Sequence, residues 1–145
     1  MQSVIRAMEE KDRSQVLEMM RVFYPSPAVL SNGSEEIFEA DVAACITGSP
    51  YLEGYIFENT EGILGYAMVA KSFSTEFGKP CIWIEDIYVK SAFRDRGLGS
   101  RFLKFIADKY PDSVLRLEVE ADNHRAMHVY EKCGFRVIPY VEMKK

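Results

Sequence analysis

The chain has 145 residues, 48% hydrophobic and 28% charged, which suits one soluble globular domain with room for a proper core. A net charge of -4 argues against nucleic acid as a main ligand, and no apolar run approaches bilayer-spanning length. Three widely spaced cysteines, Cys45, Cys81 and Cys133, without any C-x-x-C, predict free thiols in a cytoplasmic protein and neither disulfides nor a structural zinc.

In chain order, Val4 to Met8 predicts a short first strand. Val16, Met19, Met20 and Phe23 recur at helical spacing and predict a helix over Asp12 to Phe23, ended by Pro25 and Pro27. Ser34, followed by Glu35, Glu36 and Ile37, is an N-cap signature for a second helix to about Ile46, stopped by Gly48 and Pro50. Two strands follow, Tyr51 to Glu58 and Ile63 to Phe73, joined by a loop of hairpin length. After a second turn tract, Ser74 to Pro80, a third strand runs from Cys81 to Val89. Its apolar residues flank an acidic pair, Glu85 and Asp86. Buried carboxylates are costly unless partnered, so the pair either ends the strand at a bulge or serves a site.

Next come Arg94-Asp95-Arg96-Gly97-Leu98-Gly99-Ser100 and a helix-patterned run to about Tyr110. Each glycine in a helix's first turn costs roughly 0.5 to 1 kcal/mol relative to alanine. Close approach of an anion explains that cost, because bare backbone N–H groups at a helix N-terminus receive phosphate well. The alternative is a tight turn with its arginines in solvent. No lysine follows Gly99 and position 102 is Phe, which excludes the triphosphate loop and the dinucleotide fingerprint. Val114 to Val119 alternates as a strand. Asn123 then caps a helix carrying Ala126, Tyr130 and Cys133 on one face, and Gly134 stops it. Phe135 to Met143 predicts a final strand pair. The order β-α-α-β-β-β-α-β-α-β(-β) predicts one mixed α/β domain over residues 1–145.

The glycine turn and the pattern N-x-x-A-x-x-x-Y-x-x-x-G-F from Asn123 to Phe135 together resemble the GNAT superfamily of acyl-CoA-dependent N-acetyltransferases. The match in specific motifs runs from about Cys81 to Phe135, and Ile84-Glu85-Asp86-Ile87-Tyr88-Val89 looks most like the diamine (polyamine) acetyltransferase branch. The resemblance implies the GNAT mixed-sheet fold, acetyl-CoA as co-substrate and no metal. The fourth and fifth strands would splay apart at their ends to admit the pantetheine arm. Asp95, Arg96, Gly97, Leu98, Gly99 and Ser100 would hold the pyrophosphate through backbone N–H groups, with Arg94 and Arg101 nearby. Ile87, Tyr88 and Val89 would contact the acetyl group and pantetheine through their main chain, and Asn123 and Ala126 would complete the cofactor site.

Acetyl transfer needs a base to deprotonate the amine, and the resemblance implies Glu85 for that role, with Asp86 binding the cationic substrate or positioning Glu85. Tyr130 stands where the family keeps the acid that protonates the departing thiolate; the alternative for it is an aromatic packed on a helix face. Cys133 fits a small buried residue, and His124 and His128 fit solvated helix positions, not a metal pair. Glu35, Glu36, Glu39 and Asp41 predict an acidic rim suited to a polyamine-like acceptor, or simply a solvated helix face. The expected partner is a small-molecule amine, with neither nucleic acid nor membrane, and a homodimer is expected from the apolar C-terminal segment. A protein lysine or N-terminal acetyltransferase, and a non-catalytic acyl-CoA-binding module, are the alternatives.

Overall fold

The computed structural model describes residues 2–145. Five strands form one sheet in chain order: β1 (Val4–Ala7), β2 (Leu52–Asn59), β3 (Gly62–Ser74), β4 (Lys79–Val89) and β5 (Val114–Leu117). β1 to β4 pair antiparallel, whereas β5 joins β4 in parallel and needs a crossover helix to do so. The helices are α1 (Arg13–Phe23), α2 (Glu35–Ile46), α3 (Leu98–Lys109) and α4 (His124–Lys132). Among the described residues no helix is long and apolar enough to cross a membrane.

Two apolar layers sandwich the sheet, and the period-2 alternation of the strands decides which residue joins which. Ile56, Tyr66 and Met68 face α1 and α2, where Val16, Met20, Phe38 and Val42 are buried. Phe57, Ala67, Val69 and Ile82 face α3, meeting Phe102, Leu103 and Ile106. Because both faces are covered, β2 and β3 read as nearly continuous apolar runs.

Both predicted N-caps form: Ser34 Oγ accepts from the Ile37 N–H at 3.3 Å, and Asn123 Oδ1 from the Ala126 N–H at 3.2 Å. A partly buried ion-pair network unseen in the sequence fixes the start of α1. Arg6 reaches from β1 to both carboxylate oxygens of Asp12 at 2.8 Å and to Glu58 at 2.6 Å. Burial alone would lift the Asp12 carboxyl, but Arg6 and the Glu9 N–H hold it below its ordinary value.

The expected final strand pair does not form: after α4 no residue from 133 to 145 is in a strand. Pro139 lacks an N–H in the middle of that run, and the neighbouring β5 is only four residues long. Val137, Val141 and Met143 are instead exposed. β5 also stops at Leu117, two residues before the expected Val119.

Candidate active site

β4 carries the site because its two edges part company. Pairing with β5 ends at Ile84 opposite Leu117, while pairing with β3 continues to Val89 opposite Gly65. Residues 85–89 therefore keep one strand neighbour and leave the other edge open. Gly65 makes the far end of this arrangement, since a Cβ there would lie 2.2 Å from the Tyr88 carbonyl oxygen. Only glycine lets β3 approach so closely.

At the point where β5 ends, β4 has a bulge. Met68 faces Asp86 and Val69 faces Ile84, so Glu85 is the extra residue. The bulge separates the acidic pair. Asp86 is 4% exposed, with its carboxylate accepting from the Tyr66 phenol at 2.7 Å and the Tyr24 phenol at 3.0 Å. Burial raises the Asp86 carboxyl above the usual range, and the two phenols oppose that rise. Glu85 is exposed at the bulge, and its carboxyl is also raised, by partial burial and by Asp86, Asp41 and Glu142 around it.

Beyond β4 a short 3-10 turn, Ser91–Phe93, leads into the glycine turn. Gly97 occupies the left-handed region at φ 76° and caps α3, while Asp95 is the one non-glycine residue with positive φ among the described residues. Gly99 follows in the first helical turn, where a Cβ would meet nothing nearer than Ile87 Cγ2 at 4.0 Å. No internal packing explains a glycine there.

A cavity of about 480 Å³ lies between this turn, the open edge of β4 and α4. It collects Ile87, Tyr88, Val89, Arg94, Asp95, Gly97, Leu98, Gly99, Ser100, Asn123, Ala126 and Tyr130, so twelve of the predicted residues share one space. Phe23, Ser26 and Pro27, at the end of α1, close it from the other side. The arginines behave differently from one another. Arg94 Nε donates to the Val89 carbonyl at 2.8 Å and its guanidinium lies over the Tyr88 ring. Arg96 stacks on Phe93 and does not line the cavity, and Arg101 is drawn away to Ser3. Arg125, which had no predicted role, lines it and pairs with Asp95.

A second cavity of about 670 Å³ adjoins the first through Ile87, Asn123, Ala126 and Tyr130. Glu85 and Asp86 line it from β4, with Tyr24 from the end of α1 and Glu118 and Glu120 from beyond β5. Tyr130 thus borders both spaces. Its ring packs edge-on to Phe135 at 6.2 Å, burial raises its phenol, and that hydroxyl has no hydrogen bond among the described residues.

The acidic rim expected from α2 is not what faces this cavity. Glu35 is taken by Arg21 at 2.7 Å and Glu39 by Arg13 at 3.4 Å, because α1 turns its arginines toward α2. Asp41 alone is half-buried, its carboxyl pushed up to about 6 by burial and by Asp86. The acids that do line the cavity, Glu118 and Glu120, were overlooked; the alternation Arg116, Glu118, Glu120 past the strand's end was the available signal. Tyr24 and Tyr66 gave no signal, since their partner lies far along the chain. Cys133, expected to be buried, is exposed, because the helix ends there and turns its last residue outward.

The acetyltransferase (GNAT) family matches residues 14–135. A thialysine N-epsilon-acetyltransferase from Sus scrofa is 30% identical over 96% of this chain and 87% of its own. One from Bos taurus is 41% identical over 50% of this chain, and the matched part is 44% of that protein's length. Among solved structures, a possible acetyltransferase from Clostridium difficile 630 superposes with a TM-score of 0.79 at 18% identity, covering 99% of this chain and 96% of that one. The aminoglycoside N-acetyltransferase AAC(6')-Iy in complex with CoA gives 0.78 at 16% identity, covering 99% and 94%. Those two likenesses are likenesses of fold.

Proposed function

The chain belongs to the acetyltransferase (GNAT) family and is an acyltransferase, and from that premise we propose that it transfers acetyl from acetyl-CoA to a primary amine by direct attack. The observation that carries the proposal is the pair of cavities meeting at Tyr130, one ending on the glycine turn and the other lined by Glu85 and further acids.

The donor cavity fits acetyl-CoA. Gly99 weakens its helix with no internal reason, and the space a side chain would fill there opens onto the cavity. Residues 94–100 supply backbone N–H groups and the positive end of α3 for a pyrophosphate. The open edge of β4 offers Ile87, Tyr88 and Val89 main-chain groups to the pantetheine and to the thioester oxygen as charge develops on it. That their side chains matter less fits the burial of Tyr88 against Phe23 and Tyr66. Asn123 and Ala126 line the same wall.

Glu85 takes a proton from the amine, directly or through a water; a carboxyl held above its usual range is better matched to that task near neutrality. Tyr130 gives a proton to the departing thiolate, and burial keeps its phenol protonated until then. Asp86, pinned by two phenols and almost wholly buried, holds the bulge that turns Glu85 outward. Its charge also favours an ammonium in the acceptor cavity. Four carboxylates line that cavity, so a small polyamine-like or diamine acceptor suits it, and the thialysine-named relatives agree in direction. We place the protein in the cytoplasm on its free cysteines, and as a homodimer on the exposed Val137 and Val141.

The test is release of free thiol from acetyl-CoA across a panel of short diamines, spermidine, spermine, amino acids, an aminoglycoside and lysine peptides. Release with the diamine and polyamine class, lost in Glu85→Gln, is the expected result. Release only with lysine peptides would replace the small-molecule acceptor by a protein one.

A further inference from the structure

The segment after α4 reaches the β3–β4 turn and the acceptor cavity. The Tyr140 hydroxyl donates to Glu76 in the β3–β4 turn at 2.7 Å. Glu142, together with partial burial, pushes the Glu118 carboxyl beside it up to about 7. Lys144 lines the acceptor cavity, whose wall also carries Glu85, Glu118 and Glu120.

Lys144 thus brings one primary amine of the chain to the wall of the space lined by Glu85 and bordered by Tyr130. Lys144 has the chemistry of the acceptor the cavity suits: an aliphatic ammonium on a flexible stem. Tethering replaces a bimolecular encounter by an intramolecular one and raises its effective concentration. We infer that Lys144 is an intramolecular acceptor, acetylated in cis when no external amine fills the cavity, and that its side chain competes with that amine. The inference rests on the acetyltransferase reading of the site.

The step balances without a further reactant. Lys144 Nζ gives one proton to Glu85 and its lone pair forms a bond to the thioester carbonyl carbon. The carbon–sulfur bond breaks with its electron pair left on sulfur, and Tyr130 protonates that thiolate. The second proton lost by Nζ restores the Tyr130 phenol, and the one on Glu85 passes to water. An uncharged amide replaces the ammonium, so the acidic cavity loses its tethered counter-charge.

The experiment is intact-mass analysis and peptide mapping of the purified full chain after incubation with acetyl-CoA and no added amine, with thiol release to added amines measured alongside. One acetyl group on Lys144 is expected, gained at a rate independent of protein dilution and suppressed by excess diamine. The label should vanish in Glu85→Gln, and in Lys144→Arg, where thiol release to an added amine persists. Thiol release to an added amine with no acetyl on Lys144 would overturn the inference alone. So would a labelling rate that falls on dilution, or a label spread over other lysines and indifferent to Glu85→Gln. Failure of thiol release with every amine would overturn the acetyltransferase reading beneath it.

Discussion

The phenol of Tyr66 on β3 donates to Asp86 Oδ2 on β4 at 2.7 Å, with Tyr66 wholly buried and Asp86 4% exposed. Removing a donor from a buried carboxylate costs about 1–3 kcal/mol. Tyr66→Phe should therefore destabilise the protein by that amount in denaturant unfolding, and Asp86→Asn should shrink the penalty when the two are combined. Full additivity of the two changes would mean that the hydrogen bond contributes nothing.

Gly99→Ala separates folding from cofactor binding, because the added methyl meets only Ile87 Cγ2 at 4.0 Å inside the protein. The free protein should gain up to about 1 kcal/mol in thermal or chemical unfolding from better helix propensity. Acetyl-CoA affinity by calorimetry should fall by about tenfold or more, roughly 1.4 kcal/mol. Unchanged affinity would remove the close approach of phosphate to this helix.

Tyr130→Phe keeps the ring against Phe135 and deletes only the hydroxyl at the junction of the two cavities. Turnover should drop by about 10²-fold, the low end for loss of a general acid, with acetyl-CoA affinity retained. Equal loss of affinity would make Tyr130 a binding residue instead.

Asp41 gives a pH-dependent stability of definite sign. Its carboxyl is raised from 3.8 to about 6 in the folded state, by burial and by Asp86, so the folded protein holds this proton more tightly than the unfolded chain. Asp41 then costs nothing below the unfolded value, and its penalty grows as pH rises through that window. Asp41→Asn should stabilise the protein above about pH 6 and make no difference below about 3.8. Urea unfolding of both proteins at several pH values measures this, and a variant with equal effect throughout would show that Asp41 does not titrate in that window.

Glu85→Gln tests the base through the pH profile as well as through the rate. Because the Glu85 carboxyl lies above its ordinary range, kcat/KM should fall on the acid side at a pH above that of a free carboxylate. The variant should be slower by about 10²–10⁴-fold and lack that acid limb. A limb that survives the substitution belongs to another group.

Local rules fixed much of the protein in advance. Helical spacing, Ser34 and Asn123 as caps, and a glycine stop located α1, α2, α3 and α4 to within a residue or two, since each signal lies within a few positions of the element it ends. The glycine turn and the Tyr130 helix were also legible, because a left-handed helix entry and helix capping ask for particular residues at short spacing. Contacts between distant segments were not. Whether Glu35 and Glu39 are free depended on where α1 turned Arg21 and Arg13. The roles of Glu85 and Asp86 diverged only through a bulge, and a one-residue shift along a strand exchanges its faces. The final strands failed to form although their sequence is apolar, because pairing requires a partner edge and Pro139 removes a donor. The sequence by itself determined the four helices, their caps and the first four strands, through interactions that span a few residues. The tertiary structure decided which carboxylates are buried, paired or open to a substrate, because burial and charge pairing are set by neighbours far away along the chain.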